Sequence, residues 1–181
     1  MSRKITKNYQ FVLFLVAIMW LLEFVNIVIS HQLNTYALVP RHYDKLPGVV
    51  TMHFLHWNLT HLISNTIPLL ILGFFLSASG KAKEVTITIM LVSGLLVWAF
   101  ARNGTHAGAS GLVMGYWGFL ISSAFFKRNF KNILIAIITI FLYGGILFSL
   151  LDFRTNISFE GHLFGFFAGL FSAWYWYKKA R

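Results

Sequence analysis

Apolar side chains run in long blocks along this chain, and polar and basic residues are confined to the gaps between them. Six blocks stand out: Phe11 to Ile29, Leu59 to Ser77, Val85 to Ala101, Ala107 to Phe125, Ile133 to Leu151 and Phe159 to Tyr177. None alternates with the period of two that marks a transmembrane barrel strand, and each is near the roughly 17 to 25 residues a helix needs to cross about 30 Å of hydrocarbon. Lipid offers no partner to an open backbone, so unalternating runs of this length read as helices. The pattern predicts an all-α polytopic membrane protein, with six transmembrane helices in one transmembrane domain spanning residues 1–181. The one long connection, residues 30–58, holds Pro40 and Pro47 and is expected to be irregular.

Composition agrees with a membrane chain. Hydrophobic residues make up 57% of 181, more than a soluble domain of this size can bury. The net charge of +10 would suit a nucleic-acid binder if the bases formed one patch, but they sort by loop instead. Eleven Lys and Arg fall at the two termini, at Lys81 and Lys83, and at Lys127, Arg128 and Lys131, whereas four (Arg41, Lys45, Arg102 and Arg154) fall in the alternate loops. The positive-inside rule then puts both termini in the cytoplasm and residues 30–58 outside; the expected location is the plasma membrane, the inner membrane if the cell is prokaryotic. Trp174, Tyr175, Trp176 and Tyr177 read as an interfacial belt before the last basic cluster. The first run follows Arg3, Lys4 and Lys7 as a signal peptide would, but it is too long for an h-region and is expected to stay attached. With no cysteine, disulfides, iron–sulfur ligation and a thiol nucleophile are excluded.

That topology gathers polar side chains at one depth. His61 and Asn65 stand at i and i+4 on the second run, Ser110 in the first turn of the fourth, and His162 in the first turn of the sixth. Intramembrane polar groups face a bundle interior or a watery cavity, so a shared cavity open to the outside is the expected arrangement. Gly111, Gly115 and Gly118 stripe the fourth run, and Gly161, Gly165 and Gly169 the sixth, which permits close backbone approach between them. A serine within reach of a neutral imidazole is an activated nucleophile. The Asn65 amide, the His61 ring and the Ser110 backbone N–H are candidate donors to an oxyanion. His53, His56 and His61 lack an acidic partner for a catalytic zinc set, so neither metal nor cofactor is expected. Glu23 and Asn26 on the first run are expected to make an interhelical hydrogen bond, and His106 reads as a loop residue.

Three motifs carry a family resemblance: "HFLHWNLTHLISN", "GASG" and "GHLFGFFAG". In this order they resemble a rhomboid intramembrane serine protease, in its compact six-helix form, over nearly the whole chain. The resemblance implies nucleophile Ser110, general base His162 and an oxyanion site of His61, Asn65 and Ser110. His56, Gly108, Gly111, Met114, Gly161 and Gly165 are implied to support them. Met114 stands where some bacterial members have a tyrosine, and "KLPGVV" where many have a Trp-Arg pair. The implied activity is hydrolysis of peptide bonds in or near the transmembrane segments of membrane proteins. Those proteins and lipid would be the partners, without nucleic acid or metal. By the same resemblance, the Tyr36 to Asn58 region lies partly in the membrane and the region from about Leu151 to Glu160 caps the site. Two other readings stand beside this: an inactive rhomboid-like binding factor, which would lack the serine or the histidine, and a transporter, whose polar residues would run through the full depth.

Overall fold

The computed structural model describes residues 3–145 and 158–178. These form α1 (Arg3–Val28), α2 (Gly48–Thr51), α3 (Leu59–Ser77), α4 (Ala82–Phe100), α5 (Ser110–Lys127), α6 (Phe130–Tyr143) and α7 (Phe159–Lys178). The centre of the bundle is α5. It has no polar face, and every residue from Gly111 to Leu120 is buried. Around it pack α3, α4, α6 and α7, while α1 lies further out against α3 and α4. Leu62, Leu69, Ile89, Leu112, Tyr116 and Phe119 belong to one continuous core.

The periphery is as apolar as the centre. Phe14, Leu21 and Phe24 on α1, Ile63, Ile67 and Phe74 on α3, and Ile137, Ile140 and Phe141 on α6 are all exposed. A soluble protein rarely leaves so much contiguous apolar surface in water, and lipid is the solvent that fits it. The chain is therefore a multi-pass membrane-type helical bundle. By length and apolarity alone, three helices reach the requirement for a crossing, α1, α3 and α4, rather than the six expected. The difference has a physical origin: α5 and α7 carry the glycines and serines of a close helix contact, together with histidine, tryptophan, tyrosine and terminal charges, and these lower their hydropathy. The described part of α6 has 14 residues. The rest of the predicted fifth run, with Asp152, Arg154 and most of the predicted capping region, lies outside the described residues.

Helix α5 meets α7 backbone to backbone. A Cβ built on Gly165 would run into the Gly111 carbonyl, and one on Gly169 into the Gly115 carbonyl. On α5, a Cβ at Gly118 would come within 2.7 Å of the Phe166 carbonyl oxygen. The two glycine stripes thus face each other, and only the absence of side chains lets the helices approach so closely.

Residues 29–58 are built rather than loose. Two 3₁₀ turns (Gln32–Tyr36 and Tyr43–Lys45) lead into α2. Leu38, Val49 and Met52 form a second small core with Val97 and Ala101 of the α4 end. Leu38 also exchanges both backbone hydrogen bonds with His106, at 3.1 and 2.8 Å, so this segment is laced to the chain that leads into α5. Asn26 takes part as well: its amide reaches Asn34 Oδ1 at 3.0 Å and its carbonyl accepts the Leu33 N–H at 2.9 Å. The expected interhelical bond is therefore replaced by one that ties the end of α1 to the loop. Glu23, fully buried one turn earlier, has no hydrogen-bond partner among the described residues.

Candidate active site

Each wall of the site starts from a helix terminus. Helix α3 begins where Asn58, extended at φ −170°, accepts the His61 N–H at 2.8 Å with its side chain. Such a cap satisfies one of the orphan donors of the first turn and fixes where the helix starts. His61 is thereby set in the first turn, with Asn65 one turn below. The Asn65 amide donates one N–H to the His61 carbonyl at 3.0 Å. An amide nitrogen carries two, which leaves the second for the cavity.

Helix α5 begins at Ser110, three residues later than the apolar pattern predicts. The preceding Gly108 has φ +129°, a conformation that side chains disfavour. The ring of His61 occupies the space where a Cβ would stand, 2.7 Å from Cε1 and 2.8 Å from Nε2. The stretch is held from the other side by residues of the first loop. Gly108 donates its N–H to the Met52 carbonyl at 2.8 Å, and Ala109 donates its N–H to His56 Nε2 at 3.3 Å. The His56 carbonyl accepts from Asn34 Nδ2 at 3.2 Å. As the first residue of α5, Ser110 has a backbone N–H without an intrahelical acceptor, at the end of the helix where the dipole favours negative charge.

Helix α7 is capped by Ser158, whose hydroxyl accepts the Gly161 N–H at 3.1 Å and whose carbonyl accepts the His162 N–H at 3.2 Å. His162 therefore also projects from a first turn. Ser110, His162, His61, Asn65 and Met114 line one cavity of about 610 Å³, together with Trp57, Ser64, Pro68, Arg102, His106 and others. His56, Gly111, Gly161 and Gly165 stand behind that wall. His56 takes up the Ala109 amide, and Gly111, Gly161 and Gly165 lie in the α5–α7 contact, where a Cβ on Gly111 would be 3.3 Å from the Gly161 carbonyl.

Three contributors were not legible as such. His106, read as a loop residue, is 5% exposed; its Nδ1 lies 2.7 Å from Ser158 Oγ and its Nε2 3.3 Å from the Arg102 carbonyl. Arg102 Nε pairs with Glu160 Oε1 at 3.2 Å, and the Arg102 N–H reaches the same oxygen at 3.2 Å. His53 is fully buried beside Gly111 and shares a hydrogen bond of 3.2 Å with the Met90 carbonyl. A carbonyl only accepts, so the His53 Nε2 carries the proton. Burial pushes His53 and His56 down from 6.5 to about 4, helped at His56 by the His61 ring; a backbone hydrogen bond partly offsets the fall in each. The His106 pKa is lowered too, first by burial. Among the described residues no three His, Asp or Glu side chains gather as a metal site would require.

In this membrane-type bundle a serine, histidines and an amide from three helix termini line one cavity. The Rhomboid domain model matches residues 43–179, and the chain belongs to the rhomboid family. It is 35% identical over 174 residues to uncharacterized proteins of Mycobacterium tuberculosis and Mycobacterium bovis, covering 90% of this chain and 72% of theirs. An uncharacterized protein of Mycobacterium leprae is 30% identical over 174 residues, covering 90% of this chain and 69% of its own.

Proposed function

We propose that this chain is an intramembrane serine endopeptidase of the compact six-helix rhomboid form, cleaving peptide bonds in or near the transmembrane segments of membrane proteins. The observation that carries the reading is the shared cavity: Ser110, His162, His61 and Asn65 come from three helices and line the same 610 Å³. His162 takes the Ser110 hydroxyl proton as Oγ attacks the scissile carbonyl carbon. The carbonyl oxygen becomes an oxyanion and meets the Asn65 amide, the His61 ring and the Ser110 N–H. Collapse of the intermediate breaks the C–N bond, the leaving amine takes its proton from His162, and water then hydrolyses the acyl-enzyme by the same steps. In this reading α5, α6 and α7 cross the membrane with α1, α3 and α4 in a single domain. Both termini are cytoplasmic, and the cavity faces the extracytoplasmic side of the plasma membrane.

The two rival readings lose support on particular residues. Both Ser110 and His162 are present, as an inactive binding factor would not require. Buried hydroxyls do continue deeper, at Ser93, Ser122, Ser123 and Ser172, yet each donates to a carbonyl three or four residues back on its own helix. They serve packing rather than a transport path.

The test is a fluorophosphonate that reacts with activated serines, applied to purified protein alongside cleavage of a single-span peptide. The adduct is expected on Ser110 by mass spectrometry, with both labelling and cleavage lost in His162→Ala. Labelling that persists undiminished in His162→Ala overturns the dyad.

A further inference from the structure

Between the loop that delivers Ser110 and the cap that delivers His162, the described residues include a part-buried hydrogen-bonded link. His106 is held on the loop side by its backbone pairing with Leu38 and by the Arg102 carbonyl, 3.3 Å from its Nε2. That carbonyl only accepts, so Nε2 carries the proton, and a neutral ring then presents a lone pair at Nδ1. The group 2.7 Å from Nδ1 is the Ser158 hydroxyl. Ser158 donates to the ring, and its oxygen accepts the Gly161 N–H at 3.1 Å. Both ring nitrogens, the hydroxyl proton and the helix N–H are thus all used, with no donor facing a donor. The neighbouring charges are Glu160, Arg102 and Arg41, and burial keeps the ring neutral at neutral pH.

We propose that His106 and Ser158 are a positioning pair, a clip that fixes the start of α7 against the segment before Ser110 and so sets the nucleophile's distance from its base. The inference rests on the Ser110/His162 reading. Neither residue is required to touch the substrate's reacting atoms. The Arg102–Glu160 pair bridges the same two segments, but Arg102 is 39% exposed against 5% for His106, and a solvated ion pair constrains geometry less than a hydrogen bond to a ring held out of water. A misplacement of about 1 Å at a reacting pair can cost on the order of 100-fold in rate.

The test compares His106→Ala, Ser158→Ala, the double variant, and the conservative His106→Asn and Ser158→Thr, all in the full chain in detergent. Three readouts are taken: the fluorophosphonate labelling rate at Ser110, the labelled fraction at completion, and kcat and KM on a single-span peptide. Each alanine variant is expected to slow labelling and kcat by about 10- to 100-fold, with KM and the final labelled fraction unchanged. The double variant should lose no more than the worse single one, since both changes break the same link. Ser158→Thr and His106→Asn, which keep a hydroxyl and an acceptor, should restore most of the rate. Wild-type rates in both alanine variants overturn the clip, as does a slow rate matched by an equal fall in labelled fraction, which is what simple loss of folded protein gives. If His106→Ala does not fold, Ser158→Ala and the Asn variant carry the same comparison. Wild-type protein that neither labels at Ser110 nor cleaves overturns the parent reading, an outcome distinct from labelling that ignores the clip.

Discussion

Two residues make the clearest separable predictions, because one faces the cavity and the other never meets it. Asn65 spends one N–H on the His61 carbonyl and keeps the other, so its part in the reaction would begin only when the substrate oxygen gains charge. Removing one oxyanion donor in other serine hydrolases costs roughly 100- to 1,000-fold in kcat. With the His61 ring and the Ser110 N–H sharing the load, Asn65→Ala should lower kcat by about 10- to 1,000-fold and leave KM nearly unchanged. Unchanged turnover per titrated site removes Asn65 from that role. His53 acts through stability instead. Its folded pKa is about 4 against 6.5, so between those values the unfolded chain binds more protons. The stabilisation is complete above pH 6.5 and is lost as pH falls towards 4, a range worth roughly 3 kcal/mol by linkage. The thermal midpoint in detergent should fall across that window, and His53→Asn, which cannot take up the proton, should flatten the fall. Equal slopes for the two proteins would contradict the assignment.

At the scale of helices, the contact of α5 with α7 both carries the fold and spaces the two catalytic candidates. Ala is better than Gly within an isolated helix by about 1 kcal/mol, so glycine at Gly165 and Gly169 is kept against local preference. Their Cβ atoms would meet the carbonyls of Gly111 and Gly115. Overpacking of this kind costs about 1–3 kcal/mol, and it should outweigh the gain in propensity. Gly165→Ala should lower the thermal midpoint and slow Ser110 labelling, because Gly111 is the residue next to Ser110, the proposed nucleophile. Gly169→Ala, one turn deeper, should lower the midpoint with a smaller effect on labelling. A rise in midpoint for either variant would mean that the helices do not pack as described. The same contact shows what a sequence reveals. The facing stripes are local, periodic and readable, as is α3, which runs from Leu59 to Ser77 as its apolar block does. The apolar pattern places the start of α5 three residues early because Ala107, Gly108 and Ala109 are small and continue the apolar run, while what ends the loop is a positive φ at Gly108 with a histidine ring against it. His106 was opaque for a related reason: its partner Ser158 lies 52 residues away, and no periodicity links the two.

For the whole molecule, orientation decides which proteins can reach the cavity. The end remote from the site gathers the basic residues: Lys131 donates to the Ala78 carbonyl at 2.7 Å, while Lys81, Lys127 and Lys178 lie over the rings of Trp176, Tyr177 and Trp174 at 4.9, 5.3 and 5.3 Å. Asn8 accepts the Ala82 N–H at 2.8 Å, which brings the start of α1 to the same end. Cations over aromatic rings at a helix end suit the headgroup region, where the ring is half in lipid and the ammonium meets anionic phosphate. At the site end the described cations are Arg41, Lys45 and Arg102, of which Arg41 is bound to the Ala101 carbonyl and to Asn103. The asymmetry should hold the basic end in the cytoplasm and open the cavity to substrates from the other side. Because the chain has no cysteine, single cysteines can report this without background. Asp44→Cys, exposed near the site end, should react in intact cells with a thiol reagent that cannot cross the membrane. Glu84→Cys, exposed in the first turn of α4, should react only after the membrane is opened. The reverse pattern would put the cavity on the cytoplasmic face and change the class of substrate ends it can meet; reaction of both in intact cells would mean that the two ends of α4 are not separated by the bilayer.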